Sequence, residues 1–281
     1  MLINGKSATL LSPLDRGFQY GDGLFETILI ESACPIFLVE HLARLEKGCE
    51  VLNIPMPDAT LITDELYRVI ANEPSGVAKI ILTRGIGTRG FLPPSSPEVT
   101  RVVSFNSSET PLPQKLSSIE LTTCDINLSR QPLLAGIKHL NQLERVLARS
   151  SMAEIDRIEG LMLDTEDNVI EGIMSNLFIA KNGILKTPAL KYCGVSGVIR
   201  NFLMTKAKLG NIECLETELS LEDIRSADEV FMTNSLMPVR VVKHFNDEGN
   251  MFNKEQIRYS TWALDSVIVE TKHQINTIQF P

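Results

Sequence analysis

Apolar residues along the first hundred positions of the chain follow two different spacings. Branched apolar residues bounded by glycines occupy residues 27–30 and 78–83, which predicts two strands. Between these runs, apolar residues recur every three or four positions, which predicts two helices marked by Leu42, Leu45, Cys49 and Leu52 and by Leu66, Val69 and Ile70. The first part of the chain therefore mixes strands and helices.

A new block of patterns begins after a stretch that contains prolines. Residues 109–115 include two prolines and show little periodicity, so they are the best candidate for a linker. At 281 residues, the chain exceeds the usual size of a single core. We therefore place an N-terminal α/β domain at 1–112, a linker at 113–117 and a C-terminal domain at 118–281.

The second block again mixes strands and helices. Residues 118–123 predict a strand, and Asn182-Gly183 predicts the tight turn of a β-hairpin. One helix is expected to start just after Lys138, and another has Ser196 as its expected N-cap. Residues 220–223 form an acidic variant of a capping box for a short helix. The predicted fold class is therefore α/β, or α+β, with two domains.

Composition and charge narrow the classes of function. Hydrophobic residues make up 43% and charged residues 22% of the chain, as in ordinary globular proteins. The formal net charge of -8 argues against a nucleic-acid partner, because little in the chain would neutralise a phosphate backbone. No apolar run is long enough to span a membrane, and the start lacks the pattern of a signal peptide. We therefore expect a soluble cytoplasmic protein.

Cysteine and histidine spacing gives no sign of a metal site or a disulfide framework. The five cysteines are widely spaced and form no Cys-x-x-Cys pair. The four histidines form no His-x-x-x-His pair. We therefore expect neither structural zinc nor metal catalysis.

Lys138 follows the apolar run 133–137 directly. Burial disfavours the charged ammonium and leaves a neutral, nucleophilic amine, the kind that forms a Schiff base with a carbonyl cofactor. Taken alone, Lys138 also suits a lysine that extends its amine from a strand end into water. The choice between these two interpretations depends on the motifs around it.

Residues 85–90 match the Gly-x-Gly-x-x-Gly pattern after a predicted strand, which raises the alternative of a dinucleotide site. Such a site needs a helix that begins inside the motif and directs its N-terminus at the pyrophosphate. Three prolines in residues 93–97 argue against a regular helix at this point. A flexible loop that presents Arg84 and Arg89 to an anionic substrate fits better, and a merely solvated loop is the remaining alternative.

Seven segments in fixed order carry a family resemblance. They are residues 15–27, 41–45, 84–91, 138–144, 170–178, 194–200 and 233–239. Together they resemble the class IV, fold-type IV pyridoxal-phosphate enzymes, which include branched-chain aminotransferases, D-amino-acid aminotransferases and 4-amino-4-deoxychorismate lyases. The resemblance covers nearly the whole chain. Lys-His-Leu-Asn-x-Leu-Glu at 138–144 and Arg-Gly-x-Gly-x-Arg-Gly-Phe at 84–91 resemble the lyases most.

The resemblance implies pyridoxal 5'-phosphate (PLP) as the cofactor and 118–281 as the PLP-binding domain. Lys138 would hold PLP as a Schiff base, and Glu171 would face its pyridine nitrogen and keep that nitrogen protonated. The implied phosphate ligands are Arg44, the Ser235 hydroxyl and the backbone amides of Val198 and Ile199. Taken singly, Glu171 would suit an exposed strand position, Arg44 a solvated helix face and Ser235 a turn.

The lyase resemblance also implies a reaction, the conversion of 4-amino-4-deoxychorismate to 4-aminobenzoate and pyruvate in folate biosynthesis. Thr27 is the discriminating residue, because aminotransferase relatives commonly have glycine there, and a hydroxyl can donate a proton. A β-branched residue entering a strand is the plain alternative. Arg89, with Arg84 and Asn234, would bind the substrate carboxylates. A homodimer is implied too, with an active site between the domains that borrows a loop from the partner.

Two other functions stay open at this point. A PLP-dependent aminotransferase for D-amino acids or branched-chain amino acids would keep the cofactor but needs a keto acid as second substrate. A degenerate binding protein would retain the fold without turnover. The presence of both Lys138 and Glu171 argues against this second alternative.

Overall fold

The computed structural model describes residues 1–71, 73–87, 89–108, 112–152, 158–254 and 256–277, and the chain forms two compact units. The first unit contains Met1–Leu112, Ile137–Asn141 and 271–277, and the second contains Pro113–Gly136 and Gln142–Glu270. The unit changes after residue 112, and residues 109–111 of the expected linker lie outside the described part of the chain. Two segments that we expected in the C-terminal domain, Ile137–Asn141 and 271–277, group with the first unit instead.

The first unit is built on an antiparallel sheet of six strands within its described residues. In sheet order they are β2 (Lys6–Ser7), β1 (Leu2–Ile3), β6 (Thr100–Ser107), β5 (Ser75–Thr83), β3 (Gly23–Glu31) and β4 (Cys34–Pro35). Strands β3 and β5 contain the predicted strands 27–30 and 78–83, which are thereby confirmed. They pair along their whole length, with Thr27 opposite Lys79.

Three helices lie entirely within the described part of the first unit, α1 (Arg16–Tyr20), α2 (Leu38–Leu52) and α3 (Ala59–Ile70). Asp58 caps α3, because its carboxylate accepts a hydrogen bond from the Thr60 amide at 2.8 Å. Ile62, Leu66 and Ile70 recur at four-residue spacing and are fully buried, so α3 packs through this face. The two helices predicted from apolar spacing are confirmed as α2 and α3.

The described residues of the second unit form a mixed sheet of nine strands. The main path runs β12 (Cys214–Thr217), β11 (Ile184–Pro188), β10 (Asn176–Lys181), β13 (Glu229–Thr233), β14 (Arg240–Asp247), β7 (Ser117–Thr123), β8 (Ile158–Leu163) and β9 (Val169–Gly172), and β15 (Asn250–Asn253) pairs with β14. The predicted strand 118–123 is confirmed as β7. The hydrophobic core of the second unit includes Leu121, Leu161, Leu177 and Val230, which are all fully buried.

The predicted hairpin is confirmed as β10 and β11. Their turn is Asn182-Gly183, and both residues have positive φ, 51° and 82°. Positive φ at both central positions is the requirement of a type I′ turn, which glycine and asparagine meet at low cost. The local sequence therefore determines this connection.

The helices that begin in the second unit are α4 (Leu143–Ser150), α5 (Val198–Leu209), α6 (Leu221–Ser226) and α7 (Arg258–Thr277), among the residues described. The predicted capping box is confirmed, because Ser220 and Asp223 exchange side-chain and backbone hydrogen bonds at the start of α6. Glu229 accepts hydrogen bonds from the amides of Tyr259 and Ser260 at the start of α7. No helix of the described chain has the length and apolar character to span a membrane.

Helix α4 begins later than predicted. We expected it to start just after Lys138, but it starts at Leu143. Residues 138–140 pair with β3 instead: the Phe25 amide donates to the Lys138 carbonyl and the Leu140 amide to the Gly23 carbonyl, both at 3.0 Å. Because these backbone groups are used by the sheet, the helix cannot form until the chain leaves it.

Candidate active site

Lys138 is positioned by this pairing with β3, which places its side chain beside the strand. The side chain is half-buried, and Nζ lies 4.3 Å from the centre of the Phe25 ring. An amine at this distance from an aromatic face makes a favourable cation–π contact when charged. The amine therefore lies over the face of β3 that carries Phe25.

Thr27 lies on the same face of β3 as Phe25, because residues two apart in a strand point to the same side. Glu26, between them, points to the opposite side and is buried. Thr27 itself is half-buried. The structure thus places the predicted proton donor on the strand face over which the Lys138 amine lies.

Lys79 is a residue of this face that our sequence reasoning missed. It is exposed, pairs with Thr27 across β3 and β5, and its Nζ lies 5.2 Å from the centre of the Phe25 ring. A single charged residue inside the apolar run 77–82 was the signal that we did not use. The Phe25 ring therefore has two amines near it, and one of them faces solvent.

Glu26 forms a buried network with Arg44 and His41 on the other face of β3. Arg44 donates from Nε to Oε1 at 2.8 Å and from Nη2 to Oε2 at 2.5 Å, and His41 Nδ1 lies 2.6 Å from Oε2. Burial alone would raise the pKa of Glu26, but the charge and hydrogen bonds of Arg44, with the His41 hydrogen bond, lower it to about 2. The predicted phosphate ligand Arg44 is therefore fixed by a two-bond contact with a carboxylate.

His41 is the third member of this network and is completely buried. Burial lowers the pKa of His41, against the opposing effect of Glu26, and the positive charges of Arg44 and Lys138 lower it further. Its Nε2 atom has no hydrogen-bond partner among the described residues. The network therefore contains a neutral imidazole, a carboxylate and a guanidinium.

Arg84 has a structural position, which corrects its predicted role in substrate binding. Its guanidinium donates to both carboxylate oxygens of Asp22, at 2.7 and 3.0 Å, and to the carbonyls of Leu52 and Asn53, both at 2.7 Å. The side chain is buried. Burial opposes ionisation of Asp22, but hydrogen bonds and charges of Arg84 and Arg16 outweigh it and lower the Asp22 pKa. Because these contacts occupy most of its donors, Arg84 is not available to a substrate.

Arg89, the other arginine of the glycine-rich loop, is exposed. Its neighbour Thr88 lies outside the described residues. The loop that follows is held by Arg16, whose guanidinium donates to the carbonyls of Gly90 and Phe91 at 3.0 and 2.9 Å. No helix begins in the described residues of this loop, as the prolines predicted. The dinucleotide interpretation therefore lacks the helix that it needs.

Glu171 is the next-to-last residue of β9 in the second unit and is buried. Oε1 accepts a hydrogen bond from Arg145 Nη2 at 2.5 Å, Oε2 accepts one from Asn176 Nδ2 at 3.0 Å, and the Val195 amide lies 3.1 Å from both oxygens. This contradicts the plain alternative of an exposed strand glutamate. Arg145 is a second residue that the sequence did not reveal, because nothing in its helix marks it.

The turn before α5 is open at the backbone amides of Val198 and Ile199. The N-cap of α5 is Gly197, which corrects our prediction of Ser196, and no side chain caps the helix. Ser196 instead exchanges hydrogen bonds with Asn201. A Cβ on Gly197 would lie 1.8 Å from Asn176 Oδ1, so only glycine fits this turn. The uncapped first-turn amides and the positive end of the helix dipole make this turn suitable for an anion.

Asn234 and Ser235 follow β13 in the same unit, and both are half-buried. The Asn234 Oδ1 atom accepts hydrogen bonds from the amides of Leu236 and Met237 at 2.9 and 2.7 Å, so its NH2 group is what remains to bind an anion. Thr233, just before them, pairs with Asn176 in the sheet. Ser235 therefore follows, by two residues, the strand partner of Asn176, and Asn176 is the residue that donates to Glu171.

Each unit contains groups of the kinds that bind PLP. The first unit provides a half-buried amine, Lys138, and a fixed guanidinium, Arg44. The second provides a buried carboxylate, Glu171, suited to a protonated ring nitrogen, and an uncapped helix start suited to a phosphate. The Gly197 turn, which has no room for a Cβ, gives close access to those backbone amides.

Comparison with known proteins identifies the family. Residues 23–245 match the family described as Amino-transferase class IV. The chain belongs to this family. An aminodeoxychorismate lyase from Vibrio harveyi is 34% identical over 250 residues, which cover 88% of this chain and 92% of that protein. A putative branched-chain-amino-acid aminotransferase from Methanocaldococcus jannaschii is 31% identical over 270 residues, covering 91% of this chain and 90% of that one.

A solved structure supports the same assignment. The crystal structure of 4-amino-4-deoxychorismate lyase from Pseudomonas aeruginosa superposes with a TM-score of 0.83 and 36% sequence identity, covering 99% of each chain. The predicted fold class, a fold-type IV aminotransferase-like α/β fold, is therefore confirmed. The family includes both lyases and aminotransferases, so the choice between them depends on the site residues.

Proposed function

We propose that this protein is a PLP-dependent lyase that converts 4-amino-4-deoxychorismate to 4-aminobenzoate and pyruvate. Relatives named for this activity are 34% and 36% identical to it over most of the chain. The observation that carries the choice is Thr27, whose side chain shares the Phe25 face of β3 with the Lys138 amine. A hydroxyl at this position gives the lyase a proton donor that glycine would lack.

Each binding group of PLP has a proposed ligand in this chain. Lys138 would hold the cofactor through its aldehyde carbon, and Glu171 would accept a hydrogen bond from the ring nitrogen. The phosphate would be bound by Arg44, the Ser235 hydroxyl and the amides of Val198 and Ile199. When bound, the cofactor supplies a carbonyl that condenses with the substrate amine and a ring that stabilises negative charge.

Lys138 would have a second role when its amine is not bonded to the cofactor. Its released Nζ removes the proton from the substrate carbon that bears the nitrogen. The bond between the ring and the enolpyruvyl oxygen then breaks, and its electrons leave with the enolpyruvate. The substrate ring becomes aromatic at this step, which makes the elimination strongly favourable.

Thr27 donates its hydroxyl proton to the departing enolpyruvate, which becomes pyruvate. The hydroxyl is held on a paired strand rather than on a loop, so its position relative to Phe25 is fixed. A positioned general acid typically contributes about 100- to 10,000-fold to the rate. Thr27 would recover its proton from solvent after the product leaves.

The substrate carboxylates are bound by exposed or partly exposed cations and amides. Arg89 is the first candidate because its guanidinium can bind a carboxylate with two parallel bonds. The NH2 group of Asn234 is the second. Lys79 is added here because it pairs with Thr27 and faces solvent, whereas Arg84 is removed because its donors are used within the fold.

We also propose that the protein is a homodimer. Several large apolar side chains of the first unit are exposed, and they are Leu10, Leu14, Phe18, Phe91 and Leu92. Exposed apolar residues in such number are a usual sign of a protein interface. Light scattering during size-exclusion chromatography measures the mass directly, and a species of 31.2 kDa, one chain, at micromolar concentration would contradict the proposal.

The cofactor is tested by reduction with borohydride. We expect the purified protein to be yellow, and borohydride followed by peptide mapping should locate the reduced cofactor on Lys138. Lys79 is the internal control, because it is a lysine near the same aromatic ring. A protein that stays colourless with added PLP, or a label on Lys79 alone, would rule out the proposed function.

The reaction is tested with 4-amino-4-deoxychorismate and no keto acid. Fluorescent 4-aminobenzoate should appear with one equivalent of pyruvate. Because the Methanocaldococcus relative is named a putative aminotransferase, D-alanine and branched-chain amino acids are tested in parallel with 2-oxoglutarate. Turnover only in the second assay would replace the lyase with an aminotransferase.

The role of Thr27 is tested by Thr27→Gly, with Thr27→Ser as the matched control that retains the hydroxyl. We expect Thr27→Gly to lower kcat by about 100-fold or more while the Kd for PLP stays within a few fold. Thr27→Ser should retain most of the activity. Equal kcat values for the glycine variant and the natural protein would remove the assigned role.

A further inference from the structure

Arg145 has no role in the proposed function, yet it contacts the acid assigned to the ring nitrogen. It lies in the first turn of α4, and its side chain is mostly buried. Nη2 donates to Glu171 Oε1 at 2.5 Å, Nε donates to Gln142 Oε1 at 2.6 Å, and Nη1 lies 3.6 Å from the Met162 sulfur. The guanidinium is therefore held in one orientation with one edge on Glu171.

The carboxylate of Glu171 has room for one more donor. An ionised carboxylate accepts about four hydrogen bonds through its lone pairs. Arg145, Asn176 and the Val195 amide supply three N–H donors, and the Val195 N–H is shared between the two oxygens. A ring N–H can therefore bind Glu171 without displacing Arg145.

We propose that Arg145 is a positioning residue that keeps the proton on the ring nitrogen of bound PLP rather than on Glu171. This inference rests on the proposed function, because it concerns the same cofactor. Arg145 acts through Glu171 and touches neither the substrate nor the reacting atoms in this role.

The physical reason is a comparison of two proton positions. With the proton on the ring, a pyridinium faces an ionised Glu171; with the proton transferred, both partners are neutral. The guanidinium attracts the ionised carboxylate and would repel a pyridinium, and of these two groups it is the carboxylate to which it is hydrogen-bonded. A ring bonded to the far side of the carboxylate would be more distant from Arg145 than the carboxylate is, so attraction would exceed repulsion and the charge of Arg145 would favour the protonated ring.

The contact with Arg145 also stabilises the buried carboxylate of Glu171 before the cofactor binds. Removing an ionised group from water is costly unless it is paired and hydrogen-bonded. Glu171 is buried, and Arg145 is the cation bonded to it. The same guanidinium thus stabilises Glu171 before PLP binds and sets the proton position afterwards.

The test measures the ring nitrogen directly, using PLP labelled with nitrogen-15 at that atom and bound to the holoenzyme. In the natural protein we expect the NMR resonance of a protonated pyridine. Arg145→Met should move this resonance towards the position of neutral pyridine, and Arg145→Gln should do the same although it retains a hydrogen-bond donor. Arg145→Lys, which retains the charge, should stay close to the natural protein.

The matched control is Arg149→Met, which removes the same charge from the same helix at a residue that contacts the Ile158 carbonyl instead. It should leave the resonance unchanged. An unchanged resonance in folded Arg145→Met, or a return to the natural position in Arg145→Gln but not in Arg145→Lys, would overturn the proposal.

A measurement on the natural protein guards against variants that fail to fold. The guanidinium protons of Arg145 should keep their carboxylate-bonded chemical shift when PLP is added to the cofactor-free protein. Release of this contact on PLP binding would also overturn the proposal. If no labelled PLP binds to the natural protein, the proposed function itself has failed; bound PLP that is insensitive to Arg145 refutes the further inference alone.

Discussion

Glu26 and Glu171 are both buried carboxylates bonded to an arginine, but the rest of their partners differ. Glu26 has both oxygens bonded to Arg44, and one of them also contacts His41. Glu171 takes one arginine bond and shares its oxygens with an amide side chain and a backbone N–H. Under the proposed function, Arg44 and Glu171 are the two residues that bind the cofactor, so Glu26 would hold Arg44 in place, whereas Arg145 would hold Glu171 in place.

The largest expected effect is a loss of stability at the Arg84–Asp22 ion pair, to which we assign no part in cofactor or substrate binding. Arg84→Met leaves Asp22 without its main partner, and breaking a buried pair typically costs about 3–5 kcal/mol in the free energy of unfolding. Denaturant unfolding measures this loss, and the Kd for PLP should not change. The control is the exposed Arg89→Met, expected to change stability by less than about 0.5 kcal/mol and to lower kcat/KM. The reverse pattern would return Arg84 to the substrate site.

The next effect tests whether Glu171, rather than its partner Arg145, contacts the cofactor. Glu171→Gln keeps the shape but removes the charge, and loss of one preorganised electrostatic group typically lowers kcat by about 100- to 1,000-fold. The matched control is Glu159→Gln, because Glu159 is also buried and bonded to an arginine, Arg240 at 2.8 Å. That variant should lose stability without a comparable loss of kcat. Similar kcat values for both variants would show that Glu171 has no more part in the reaction than Glu159.

The third effect uses the low pKa of Glu26. A carboxyl group whose folded pKa is lowered from 4.5 to about 2 contributes about 3 kcal/mol above its unfolded pKa. This stability is lost as the pH falls from about 4.5 towards 2. The lowered pKa of His41 acts in the same direction below its ordinary 6.5, because the unfolded chain then binds the proton more strongly.

The pH effect is measured by urea unfolding of the natural protein and Glu26→Gln at several pH values between 7 and 3. Other carboxyl groups titrate in both proteins, so the difference between the two curves isolates Glu26. That difference should shrink as the pH falls. Parallel curves would mean that Glu26 is not stabilised by its network.

The smallest effect tests whether Arg44, which is held by Glu26, binds the cofactor phosphate. Arg44→Lys keeps the charge but loses the two-bond contact with Glu26, and a charge-assisted hydrogen bond is worth about 1.5–3 kcal/mol. We expect PLP to bind about 10- to 100-fold more weakly. Pyridoxal, which lacks the phosphate, is the control and should bind both proteins equally. A matching loss for pyridoxal would show that Arg44 acts on something other than the phosphate.

Local patterns predicted the parts of the fold whose cause is local. The Asn182-Gly183 turn, the Ser220–Asp223 capping box and the Ile62, Leu66, Ile70 face depend on residues close together in the chain. The start of α4 was mispredicted because residues 138–140 pair with β3, more than a hundred positions earlier. Periodicity over a short window contains no information about such a partner.

The candidate site shows the same limit at single residues. Arg84 and Arg89 are both arginines of one glycine-rich segment, and only the fold shows that Asp22 binds the first and leaves the second exposed. Resemblance to the family pointed to Arg44, Lys138 and Glu171. It did not point to the residues that orient them, because Glu26 and Arg145 act through neighbours that lie far apart in the sequence.

The grouping of Ile137–Asn141 with the first unit has a consequence for how the protein can be divided. A fragment that stops at residue 112 would leave the Phe25 amide and the Gly23 carbonyl of β3 without their backbone partners. During synthesis, that strand edge stays open until about thirty more residues have emerged. A chimaera that exchanges only residues 1–112 with a relative would therefore transfer a sheet that lacks part of its pairing. An exchange of the whole unit also has to include residues 137–141.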